Sequence, residues 1–272
     1  MDLWSAPVED VRPVLTRERQ DLLALLSGLS SQEWVAASAA PGWTVKDLAL
    51  HLLDDDLGWL SRGRDADRSG LLDMSNHSSF VQALAAKNQR WVDGAQGLSL
   101  SVVTGLLRWV GREMDDYYAS INLRDEGGVS WASDGPVPQW FDIAQDLTER
   151  WVHQMQMREA IGKIGDYAAT YLPAVLRTFV WALPHQFAYV APEGSAVAVD
   201  LGVGGRWSLT SQGAGVWTLD ERPPEDAALA AFFADDAGWR WLTGAALPPG
   251  SWSIEGSPDM VAALMAVRGI LV

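Results

Sequence analysis

Up to about residue 190, apolar residues recur every three or four positions, the spacing of one face of an α-helix. The pattern predicts a helix over 7–29, with Pro13 in its first turns and Val11, Leu15, Leu22, Leu25, Leu26 and Leu29 as its stripe. Ser30 and Glu33 form a capping-box pair that opens a short helix or turn. Pro41-Gly42 breaks the chain, and Thr44 then caps a helix running to about Arg62, with Leu48, Leu52, Trp59 and Leu60 facing inward. Further helices are expected over 78–93, over 99–118 (carrying Val102, Leu106, Trp109 and Val110), over 139–161 and over 166–183. A loop rich in Gly, Asp and Pro spans 125–138, long enough inside a compact domain to suggest a functional or lid-like role.

The pattern changes after about Pro192. Alternating segments at 195–201, 206–209 and 215–219 are separated by Gly-rich turns and predict antiparallel strands. Helical patches are expected at 225–233 and 236–242, a strand at 251–255 and a last helix over 258–267. The expected fold class is therefore α plus α+β. A helical bundle occupies 1–190, and a small α+β domain occupies 191–272, with the boundary between 185 and 195.

Composition narrows the function. A formal net charge of −15 argues against nucleic acid as a partner, because phosphate binding needs a basic surface. There is no cysteine, so disulfides, thiolate metal sites and a cysteine nucleophile are all excluded. The start, Met1-Asp2-Leu3-Trp4-Ser5, lacks a basic region followed by an apolar run, and no stretch of 18 apolar residues occurs. The expectation is a cytoplasmic protein with no membrane association, as a monomer or homodimer. Fifteen tryptophans is a high count. Trp34, Trp43, Trp59, Trp91, Trp109, Trp140, Trp151 and Trp181 fall at helix positions, as core residues or the lining of an apolar cleft.

Four histidines are present, and two belong to a pattern with chemistry in it. Glu149 and His153 are four residues apart and share one face of an expected helix. His51, on a helix about a hundred residues upstream, adds a second imidazole. Two imidazoles and a carboxylate form a ligand set for Zn²⁺ or another divalent metal, with a position left open. Asp47, Asp54, Asp55, Asp142 and Asp146 are acidic neighbours able to hold a ring N–H. The spacing alone also allows a plainer reading, in which Glu149 pairs with Arg150 or a lysine at the surface and the histidines only pack. His185, after Pro184 at a helix end, suits a cationic imidazole at the dipole's negative pole. Gly202-Val-Gly-Gly-Arg206 lacks the spacing of a nucleotide loop and reads as a turn. No Gly-x-Ser-x-Gly elbow supports a serine hydrolase.

Three segments together resemble a known family: Pro41-Gly-Trp-Thr-Val-Lys-Asp-Leu-Ala-Leu-His51, Asp56-Leu-Gly-Trp59 and Glu149-Arg-Trp-Val-His153-Gln-x-Gln-x-Arg158-x-Ala-x-Gly162. They are similar to the actinobacterial mycothiol-dependent maleylpyruvate isomerases. The resemblance implies a DinB-like metal-binding four-helix bundle followed by a sterol-carrier-like α+β domain. It implies that His51, Glu149 and His153 bind Zn²⁺, and that mycothiol, a low-molecular-weight thiol, is the cosubstrate. It implies catalysis as an S-transferase or cis–trans isomerase acting on a small electrophile, without identifying further catalytic residues. A thiol-independent zinc hydrolase, with Asp47, Asp54 or Asp55 as base, and a non-catalytic ligand-binding protein are the alternatives. One departure stands out. Family members often carry Leu-Thr-Gly-Arg in the C-terminal domain, whose Arg suits a substrate carboxylate. Here the run is Trp241-Leu-Thr-Gly244-Ala245, which points to an electrophile more apolar than a dicarboxylate.

Overall fold

A computed structural model describes residues 2–72 and 77–269. Its described residues form ten α-helices and a five-stranded sheet, giving an α plus α+β fold with a helical N-terminal part. None of these helices is long and apolar enough to cross a membrane.

The chain divides into two compact units. One comprises 12–121 and 149–166, and the other 1–11, 122–148 and 167–271. The change in sequence pattern near 190 is thus not where the compact units divide.

The first unit is the helical one. Helix α1 (Arg12–Ser27) buries Leu15, Leu22, Leu25 and Leu26. It starts five residues later than the apolar pattern suggests. Pro13 explains the shift: it is tolerated in a first turn, where its missing N–H has no helical partner, but would break a helix begun at residue 7. The short α2 (Ser31–Trp34) has the expected capping box between Ser30 and Glu33. In α3 (Val45–Trp59) Thr44 caps the helix, and the Asp47 carboxylate accepts the Thr44 backbone N–H at 2.8 Å. α3 runs on into a π-helical turn, Leu60–Arg64. There Gly63 admits the Tyr117 hydroxyl to a space that a side chain's Cβ would fill at 2.2 Å.

Helices α4 (His77–Gly94) and α5 (Leu100–Ser120) follow, the latter capped by Ser99. α5 packs against α1 and α3, and α4 against α3. The inward face of α5 is Val103, Leu107, Val110, Met114 and Tyr118. Val102, Leu106 and Trp109, expected in its stripe, are instead 45%, 37% and 44% exposed. Two apolar rows lie side by side on this helix, and the row that continues through Met114 and Tyr118 runs further along it, so it takes the core. The last part of α6 (Gln139–Ala160) completes this unit, and Gly162 leaves the helix with φ 67° as a left-handed cap.

The second unit holds the start of α6, α7 (Tyr167–Phe179), a short α8 (Ala182–Gln186) and the sheet. The expected helix over 166–183 is interrupted after Phe179 and restarts with Pro184 in its first turns, where proline is tolerated. Strands β1 (Ala196–Asp200), β2 (Arg206–Ser211) and β3 (Trp217–Asp220) form the expected antiparallel meander, with Gly202–Gly204 as a turn. Residues 225–233, expected to be helical, instead contain a strand, β4 (Leu229–Phe233). β4 pairs parallel with β1 and antiparallel with β5 (Trp252–Gly256). Its alanines favour a helix locally, but Leu229, Ala231 and Phe233 alternate inward and gain a full ladder on both sides, so tertiary pairing overrides propensity. The sheet order is β3-β2-β1-β4-β5, flanked by α9 (Asp235–Thr243) and α10 (Pro258–Met265).

Candidate metal centre

The Thr44 cap fixes where α3 begins, and so which of its residues face α6. His51 comes off the buried face of α3, only 3% exposed. Glu149 and His153 come off α6, one turn apart. The three meet: His51 Nε2 lies 3.1 Å from Glu149 Oε1, and His153 Nε2 lies 2.9 Å from the same oxygen. One ligand atom from each residue lies within 4.8 Å of the others. The two imidazoles meet edge to face, with centroids 4.8 Å apart and planes at 85°. Trp43 walls the cluster, its ring 5.1 Å from that of His51 and 6.5 Å from that of His153. Glu149 keeps a side chain 40% exposed, so the cluster is open on one side.

The arrangement fits a divalent ion. Donors roughly 2.1 Å from an ion stand roughly 3–4 Å from one another, and both ring nitrogens already point at one carboxylate oxygen. His153 Nδ1 lies 2.9 Å from Gln156 Oε1, which can accept its N–H and so keeps Nε2 as the ring nitrogen turned toward Glu149 and available to an ion. His51 Nδ1 is buried without a partner among the described residues. The charges are tightly coupled. Burial opposes a charge on His51, but Asp55 and Glu149 outweigh it and raise its pKa to about 9. Burial likewise opposes a charge on Glu149, yet the neighbouring imidazoles hold its carboxyl well below its ordinary value.

The acidic neighbours divide by role. Asp55, one turn beyond His51, brings Oδ2 to 3.3 Å from His51 Nε2, and burial raises its pKa. Asp47 serves the helix cap and accepts from Gln96, Asp54 pairs with Lys87 at 2.5 Å, and Asp142 accepts the Gly128 N–H. Arg150 does not pair with Glu149. It lies in the core, 1% exposed, bound to Glu18 at 2.9 Å and to Asp56 at 2.9 Å. Glu18 also accepts from Gln154 at 2.7 Å. Sequence reasoning missed this network, because charged residues read as surface until burial is known. His185 lies 3.7 Å from Asp134 in the other unit, and the side chain of His77 lies outside the described residues.

The model of the mycothiol maleylpyruvate isomerase N-terminal domain matches residues 15–158, more than half of the chain. The chain belongs to this family. The matched stretch contains all three residues of the cluster. A crystal structure of a mycothiol-dependent maleylpyruvate isomerase superposes with a TM-score of 0.57 at 15% identity, covering 94% of this chain and 95% of that one. A second, of a histidine-to-alanine variant of a mycothiol-dependent maleylpyruvate isomerase, gives 0.52 at 15% identity, covering 89% and 90%. At this identity the likeness is one of fold. No curated protein matches the sequence.

Proposed function

We propose that this protein is a metal-dependent enzyme that uses mycothiol, or a related low-molecular-weight thiol, on a small electrophile. The observation that carries the reading is the convergence of His51 Nε2, His153 Nε2 and Glu149 Oε1 within a cluster open to solvent. Zn²⁺ or another divalent ion, when bound there, would lower the pKa of a thiol reaching its open position. The chain's own residues do the rest. Glu149 balances part of the ion's charge, Gln156 orients His153, and Trp43 gives the approaching thiol an apolar wall. The absence of cysteine agrees, since the sulfur then comes from the cosubstrate.

A thiol delivered this way adds to an activated alkene, permits rotation and leaves again, which is cis–trans isomerisation. Alternatively it displaces a leaving group to form a thioether. The family supports the isomerase class, and maleylpyruvate is the substrate that family is named for. The family resemblance implies an Arg where this chain has Ala245, and we assign this chain a less anionic, more apolar electrophile. The division read from the sequence pattern, a bundle module over 1–190 and an α+β module over 191–272, is part of this proposal. A cytoplasmic setting, as monomer or homodimer, completes the reading.

Metal analysis of the purified protein tests it. We expect close to one divalent ion per chain, and a His153→Ala variant weakened by more than the roughly 10–100-fold that loss of a merely supporting partner costs. Unchanged metal content in that variant sinks the site. Calorimetry with mycothiol should then show binding that requires the metal; turnover of esters or amides without thiol would favour the hydrolase instead.

A further inference from the structure

We propose that Asp55 is a displaceable fourth protein ligand, occupying the open metal position until the thiol enters. The inference rests on the metal reading above and extends it to a residue outside the trio. Each of the two helices carries a histidine and a carboxylate one turn apart: His51 and Asp55 on α3, Glu149 and His153 on α6. The i, i+4 spacing puts both members of each pair on one helix face. The decisive detail is which ring nitrogen Asp55 meets. A supporting carboxylate holds the nitrogen away from the metal. That atom, His51 Nδ1, is buried and has no partner among the described residues. Asp55 Oδ2 lies instead 3.3 Å from Nε2, the nitrogen that also faces Glu149 at 3.1 Å.

Once Nε2 binds an ion it has no proton to give. Asp55 then loses its imidazole partner, and the nearest positive charge is the ion itself. A spacing of 3.3 Å is also what two donors on one ion show, since each would sit roughly 2.0–2.2 Å from it. The other acids of this turn are occupied: Asp54 by Lys87, and Asp56 by Arg150 and Arg19. Asp55 is left with its side chain 26% exposed. A carboxylate held this way keeps the ion in place while the site is idle. It withdraws by side-chain rotation when a stronger, softer ligand arrives.

Cobalt-substituted protein separates the possibilities. Co²⁺ is titrated into wild type, Asp55→Ala, Asp55→Glu and Asp54→Asn, with absorption spectra and chelator competition read for each. Mycothiol is then added and the thiolate-to-cobalt charge-transfer band followed. We expect Asp55→Ala to bind Co²⁺ more weakly, by at least the roughly 10–100-fold that loss of a supporting partner costs, and, unlike loss of a supporting partner, with a changed ligand-field spectrum. It should nevertheless take up mycothiol at about tenfold lower thiol concentration, because nothing has to be displaced. Asp55→Glu should restore Co²⁺ affinity, and Asp54→Asn should match wild type. An Asp55→Ala spectrum superimposable on wild type, or mycothiol uptake unchanged or weakened, overturns the proposal. If Asp55→Ala does not fold, Asp55→Glu still decides it, since a longer carboxylate must shift the spectrum and the thiol concentration needed. Failure of wild type to bind Co²⁺ at all would instead reject the metal reading.

Discussion

His51 is held between two carboxylates in a setting where burial alone would keep it neutral. With a pKa raised to about 9, it is protonated at neutral pH in the metal-free protein. The sign follows directly. The stabilisation that protonated His51 gives the metal-free fold is fully present below about pH 6.5, its unfolded value, and is lost as pH rises through about 9. Metal binding runs the other way, because the ion needs the neutral nitrogen. Apparent metal affinity should therefore rise with pH up to about 9 and level off above it. At pH 7, calorimetry in two buffers of different ionisation enthalpy should report about one proton released per ion. Heats independent of the buffer would contradict this. Gln156 gives a second test at this scale. Removing the oxygen that accepts from His153 Nδ1, as in Gln156→Ala, should weaken metal binding roughly 10–100-fold while leaving the fold intact. The trio was legible in the sequence because i, i+4 spacing carries over directly into a helix face. The role of Gln156 was not, although it lies in the motif that carries the resemblance, since an amide three residues from a histidine does not by itself announce a contact. Nor was the role of Asp55: sequence places it beside His51 but does not say which nitrogen it meets.

At the scale of elements, the cluster depends on α3 and α6 keeping one register. Two features set it: the Thr44–Asp47 cap, readable from sequence, and the buried Arg150 network, which was not. Arg150 neighbours Glu149 in the chain yet turns into the core, between Glu18 on α1 and Asp56 on α3. Both acids are fully buried. Arg150→Ala would leave two buried carboxylates without their main cation, and loss of one partner of a buried pair typically costs about 3–5 kcal/mol. Chemical denaturation should show a loss of that size, and Arg150→Lys only a partial recovery, because lysine cannot bond both acids in the same fork. A loss below about 1 kcal/mol would mean that this network does not hold the register of the helices. The misread elements have the same origin. In β4 and on the outer row of α5, local sequence allowed two answers, and contacts distant in sequence chose between them.

For the whole molecule, charge constrains the electrophile more than the fold does. The net charge of −15 produces a field that repels anions at distances where no single residue acts. The family is named for maleylpyruvate, a substrate with carboxylates, and the proposal above gives this chain a less anionic electrophile. An anionic electrophile must approach against the field. Salt screens that field over roughly 8 Å at physiological ionic strength and over shorter distances above it. For a dicarboxylate electrophile, kcat/KM should therefore rise with added salt, through KM rather than kcat. For a neutral aromatic electrophile it should stay flat and be the larger of the two at low salt. A kcat/KM for the dicarboxylate that falls as salt is added would mean that exposed cations such as Arg90, Arg108 or Arg112 focus it after all. The assignment of an apolar electrophile would then be wrong, while the metal cluster and the thiol would be untouched.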